Sequence, residues 1–242
     1  MPNRYHSINH PARGFTMVEL LVVISIISVL GGILIPAVNM ARDSARKLEC
    51  MSNLRQVGMV MQVYADDNAG LAPLVYAAGY KQSSYWFHNA SGVWLDAGMI
   101  YNDGLVENAA IFFCSLNSRT KHTFNSSANP WPPVGGGVKS RSGYAFRPVV
   151  SINNWGYLEA PLPQLGSYSK QVIAADICDK PGKVLDEGHG DGVSAVWGDG
   201  HTTGISYSSF KDALSAIPDS SQSSAHNDKV DAVWEAFDAT LE

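Results

Sequence analysis

GFTMVELLVVISIISVLGGILIPAVNMAR, residues 14–42, decides how this chain is built. A polar leader ends at Gly14, and Phe15 opens a run that is apolar except for one carboxylate, Glu19. From Leu20 to Val38 no residue is charged. At ~1.5 Å per residue, a helix over that run covers nearly the ~30 Å of bilayer hydrocarbon. An ionisable group at the edge of such a run costs insertion energy, which makes Glu19 a functional residue by default. A secretory signal peptide would have a shorter apolar core followed by an A-x-A-like site, and Asn39-Met40-Ala41 is a poor one. A plain membrane anchor would have no use for Glu19.

Glycine before phenylalanine, glutamate five positions after the glycine, the long apolar run and Pro36 together resemble the processing signal of type IV prepilins and type II secretion pseudopilins. The resemblance implies cleavage between Gly14 and Phe15 by a membrane prepilin peptidase, N-methylation of Phe15, and an assembly role for Glu19. It implies a leader in the cytoplasm, a single pass through the inner membrane, and a periplasmic or otherwise extracytoplasmic body. The implied partners are other pilin or pseudopilin subunits in a homo- or hetero-filament, and an inner-membrane assembly platform. Gly31, Gly32 and Pro36 either mark a point where the helix kinks or locally melts or are simply tolerated, as Gly and Pro are in membrane helices.

Beyond the membrane stretch the pattern continues as an amphipathic helix. Met51, Leu54, Gly58, Met61 and Ala65 form one apolar stripe, and Cys50, Leu54, Val57, Met61 and Tyr64 a second, overlapping one. So wide an apolar face packs on a globular body and is too broad for a coiled-coil seam. Asn68-Ala69-Gly70 and Pro73 end the helix. The organisation is therefore a leader (1–14), a transmembrane half (15–40), an amphipathic half (41–69), a β-rich body (70–208) and a C-terminal helical segment (209–242). The expected fold is α+β and pilin-like, with a long N-terminal helix on an antiparallel sheet.

A net charge of −5 with no basic stripe excludes a dedicated nucleic-acid binder. Tyr76, Tyr80, Tyr85, Trp86, Phe87 and Trp94 cluster with Lys81 as the one Lys or Arg among them, so they read as a lid on the helix. Ala109–Cys114 (AAIFFC) reads as a buried strand, and 117–139 as an exposed loop. Ser142–Val150 and Gln171–Ala175 are further strand candidates.

In GHGDGVSAVWGDGHTTGISY, residues 188–207, apolar residues alternate toward Asp199-Gly200, which predicts a hairpin with a type I′ turn. His189, nine residues and then Asp199-Gly200 resemble an H-X9-DG element carried by a large pilin-like group, and a structural role is expected for it. His189, Asp191, Asp199 and His201 are metal-ligand types. A straight hairpin nevertheless sets His189 ~30 Å from His201, so no metal is expected there. No cofactor is expected. The resemblance to major pseudopilins, which often hold calcium near the C-terminal end, leaves that ion open. Asp176, Asp179, Asp186 and Glu187 would be its oxygen donors, although they show no recognisable calcium-loop spacing.

Val230, Val233, Trp234, Phe237 and Leu241 predict a docked C-terminal helix capped by Asn227 or Asp228. Phe210, Leu214 and Ile217 suggest a shorter one before it. Three cysteines allow three single pairings. Cys50 with Cys114 is the pairing expected, because the helix should pack on that sheet. No Ser/His/Asp or paired-carboxylate constellation points to an enzyme. The reading is a structural subunit of a type II secretion or type IV pilus-like filament. The alternative is a membrane-anchored extracytoplasmic binding protein, of glycans for instance, that never polymerises.

Overall fold

The computed structural model describes residues 15–117, 119–133, 137–153, 155–177, 192–218 and 223–241. Helix α1 runs from Met17 to Asp67, 51 residues. It continues through Gly31, Gly32 and Pro36, so these residues are tolerated and no local melting occurs. One proline removes a single backbone bond, and the turns on either side hold the helix together. The exit is as the sequence indicates: Ala69 and Gly70 take positive φ, and the Gly70 N–H closes on the Ala65 carbonyl at 2.7 Å. Contacts divide the chain between Ser44 and Ala45. Before that point the apolar side chains are exposed, Val18, Ile27 and Ile33 by 62–70%. A bare apolar helix of this length and composition meets the requirements of a single-pass membrane anchor.

From Ala45 onward the chain forms one α+β body of pilin-like architecture. Its centre is an antiparallel sheet in the order β4 (Tyr144–Phe146), β6 (Val172–Asp176), β7 (Gly192–Trp197), β8 (Thr202–Ser206). β6 and β7 are buried throughout because both faces of the sheet are covered. One face meets α1. Leu54, Val57, Met61 and Tyr64 share a core with Tyr144, Phe146, Ile173 and Val196. The Tyr144 hydroxyl donates to the Cys50 carbonyl of the helix at 3.2 Å. The other face carries Ala145, Val172, Ala175, Val193, Ala195 and Trp197 against the C-terminal helices. Alternation fails in β6, where adjacent Ile173 and Ala174 both serve the α1 side. A register shift between Val172 and Ala174 accounts for it, since a bulge re-aims one side chain.

Three smaller elements complete the body. β1 (Val75–Ala77) pairs in parallel with β5 (Val150–Ile152), β2 (Trp86–His88) pairs antiparallel with β3 (Ser140–Arg141), and α2 spans Ala97–Asn102. Ala109–Phe112 is a short 3-10 helix, where the sequence suggested a strand. The Asn108 side chain accepts from the Ala110 N–H at 3.0 Å and starts the turn before any ladder can form. The segment 117–139 is likewise less exposed than expected. Trp131 enters an aromatic cluster with Phe87, Tyr101 and Phe113, and Asn129 is fully buried. Of the six aromatic residues read as a lid on the helix, Phe87 alone belongs to the core that α1 shares, and Trp86 packs instead on a separate cluster with Val75, Leu95, Val150 and Ile152.

Helices α3 (Tyr207–Ser215) and α4 (Asn227–Asp238) lie on the sheet through Phe210, Leu214, Val233, Trp234 and Phe237. The last turn of α4 is latched by Arg147. Its guanidinium meets both Asp238 oxygens at 2.8–2.9 Å, and Asp238 also accepts from the Val172 N–H at 2.8 Å. Such a bidentate, partly buried pair fixes orientation as well as contact. Asn227 does not cap α4. Its side chain ties down the preceding loop, accepting from Lys81 N–H and donating to the Gly79 carbonyl.

Candidate functional site

The N-terminal determinants start with Thr16, immediately before α1. Its hydroxyl accepts from the Glu19 N–H at 3.2 Å. One Glu19 carboxylate oxygen accepts from the Thr16 N–H at 2.9 Å and from the Thr16 hydroxyl at 2.8 Å. This is a capping box, in which two helix-terminal donors are satisfied reciprocally. The T-x-x-E spacing of Thr16-Met17-Val18-Glu19 carried that signal, and the sequence reading passed over it. Glu19 is thus half spent on its own helix. Its second carboxylate oxygen has no partner among the described residues. Phe15 is 73% exposed, and Gly14 lies outside the described residues.

The β7–β8 connection is a hairpin, with a different turn from the one expected. The Trp197 N–H bonds to the His201 carbonyl at 3.0 Å, and the Gly200 N–H to the Trp197 carbonyl at 2.9 Å. Gly200 alone has positive φ, +88°, whereas a type I′ turn needs two such residues. The connection is therefore the three-residue loop Gly198-Asp199-Gly200, with glycine in the left-handed position. The Asp199 carboxylate accepts from the His201 N–H at 3.0 Å and contacts the His201 ring at 2.5 Å. Burial raises the Asp199 carboxyl, but these bonds and the imidazole charge outweigh it and hold the group below its ordinary value. His201 stacks on Trp197, centroids 4.5 Å apart. The turn lies against α1, since a Cβ on Gly58 would sit 3.6 Å from the Gly200 Cα. His189 and Asp191 lie outside the described residues.

Cys50 of α1 and Cys114 are joined by a disulfide that spans 64 residues of sequence. Closing a loop of that size is worth about 4 kcal/mol in the chain-entropy account. Cys50→Ser is accordingly expected to lower stability by about 2–4 kcal/mol. Thermal unfolding with and without reductant checks this. Equal melting, or a non-reducing peptide map that links Cys178 instead, would rule out this pairing as the working one. Beside the disulfide is a cleft of about 440 Å³, lined by polar Glu49, Asn53 and Asn108 and by apolar Ile111, Phe113 and Phe124. Ser115 donates to Glu49 across it at 2.7 Å.

Of the calcium candidates, Asp176 is buried in β6 and accepts from the Ser194 N–H at 2.7 Å. Asp179, Asp186 and Glu187 lie outside the described residues. Among the described residues no three His, Cys, Asp or Glu side chains group as a metal site. Asp96 is the other buried acid among the described residues. Burial pushes its carboxyl well above the ordinary range, and one oxygen accepts from the Val75 N–H at 2.9 Å. It ties β1 to the start of α2.

Residues 9–35 match the family model of the prokaryotic N-terminal methylation motif. The chain carries a type IV pilin-like prepilin signal at the junction where α1 begins. Comparison with curated proteins and with solved structures finds no match.

Proposed function

We propose that this chain is the precursor of a filament subunit, cleaved after Gly14, N-methylated on Phe15, and assembled through Glu19 with other pilin or pseudopilin subunits. Its place is the inner membrane, crossed once by α1, with the body on the extracytoplasmic side. Its work is structural, in a type II secretion or type IV pilus-like machine, and it acts on no substrate. The observation that carries this reading is the methylation motif, set on an exposed apolar helix long enough to span a bilayer. The Cys50–Cys114 disulfide supports the orientation, because such bonds persist in oxidising compartments.

Processing tests the reading first. The intact mass of membrane-purified protein is expected to lack Met1–Gly14 and to include one added methyl group. A mature terminus near Ala41, or retention of Met1, overturns the proposal.

A further inference from the structure

The aromatic residues of 76–94 have Lys81 among them in sequence, and the fold brings two further cations to Trp86. Trp86 on β2 stands directly opposite Arg141 on β3. The Arg141 guanidinium carbon and the Lys139 Nζ each lie 4.8 Å from the Trp86 ring centroid. Neither cation has a carboxylate partner among the described residues, whereas Lys81 is paired with Asp231 and Arg147 with Asp238. The base of Arg141 is fixed, because the buried Asn129 side chain accepts from its N–H at 2.9 Å and donates to its carbonyl at 2.8 Å. Two unpaired like charges gathered on one ring, in a chain of net charge −5, form a local anion site.

A second aromatic element shares the same support. The Asn153 side chain accepts from the N–H groups of Trp155 and Tyr157 at 2.9 and 3.0 Å, and the Asn153 N–H bonds to the Tyr157 carbonyl. This turn holds Trp155 82% and Tyr157 72% exposed. Gly156 backs onto Val93, where a Cβ would approach to 3.4 Å, and Val93 and Trp86 pack on one cluster with Val75, Leu95, Val150 and Ile152. With the backbone of the turn fixed, only the two torsions of each ring remain to be ordered on binding.

We propose that this face of the body binds an acidic glycan, whose uronate carboxylates pair with Arg141 and Lys139 while its sugar rings lie on Trp155 and Tyr157. Two cations suit a ligand with spaced carboxylates. A nucleic acid, with a phosphate at every nucleotide, draws its affinity from many basic contacts. The site is independent of whether the chain polymerises.

Full-length protein in detergent, titrated with polygalacturonate, dextran and a single-stranded oligonucleotide, tests the proposal. Polygalacturonate is expected to bind, weakening with salt, and neutral dextran to bind at least roughly tenfold less tightly. Lys139→Gln with Arg141→Gln should cost roughly tenfold or more, and the exposed Trp155→Ala several-fold, with melting unchanged. If the double variant does not fold, Lys139→Gln alone and Trp155→Ala decide, each expected to weaken polygalacturonate. Absence of polyuronate binding, undiminished binding by these variants, or tighter binding of the oligonucleotide would overturn it.

Discussion

Glu19→Gln is expected to insert, to be cleaved after Gly14, and yet to leave the cell without filaments. Glutamine serves a capping box as well as glutamate does, so the reciprocal bonds with Thr16 survive the substitution. What disappears is the negative charge. Cleavage creates an α-amine on Phe15 that stays cationic when methylated. An unpaired charge in the apolar layer is costly, and a paired one much less so. In a staggered bundle, the amine of an incoming subunit can meet the Glu19 carboxylate of its neighbour and set the axial register. The free second oxygen of Glu19 is available for that contact.

Glu19→Val removes the charge and the return bonds to Thr16, while the Thr16 hydroxyl can still accept from the N–H of residue 19. It relieves the insertion cost of the carboxylate and forfeits the carboxylate half of the capping box. Comparing the two variants therefore separates the roles. Sheared filament is measured against membrane abundance for each. Loss of filament in both assigns assembly to the charge. Normal filament from Glu19→Gln with loss in Glu19→Val would reduce Glu19 to a helix cap, and normal filament from both would end the assembly account.

Much of this fold was legible in sequence because its signals are periodic. The apolar stripe on α1, the alternation in β7, and the spacing of Val230, Val233, Trp234 and Phe237 each name a face that must be covered. The errors arose where a side chain competes with the backbone. Asn108 turns AAIFFC into a 3-10 helix, Asn227 ties down Gly79 and Lys81 in place of capping, and Asn129 serves as a strand partner for Arg141. An asparagine can bond near or far, and sequence does not say which. The Arg147–Asp238 latch was illegible for another reason. Its partners are 91 residues apart and share no local pattern. At the candidate site, the T-x-x-E box was readable from spacing alone. The meeting of Trp86 with Lys139 and Arg141 depends on strand pairing that only the fold supplies.

Gly200→Val is expected to destabilise the body by about 1–3 kcal/mol, the cost of holding a non-glycine residue in the left-handed region. Valine stands at the high end because its β-branch clashes with the backbone at φ near +88°. Space adds to the strain. A Cβ at Gly200 would lie 2.9 Å from the Gln62 Nε2, and the turn already rests on α1 beside Gly58. Gln62 can swing its amide aside, so conformation and not collision should dominate. That predicts an ordering: Gly200→Asn should be mild, because asparagine tolerates positive φ, and Gly200→Val severe. His201→Ala should cost under about 1 kcal/mol, since the ring is part-exposed and its Asp199 contact is a surface one. For a body of this size, about 2–4 °C of melting temperature follows each kcal/mol, so full-length protein in detergent resolves the ordering by thermal unfolding. Equal losses from asparagine and valine would shift the cause to packing against α1. A His201→Ala loss larger than that of Gly200→Val would mean that the imidazole, and not the glycine, holds the hairpin closed.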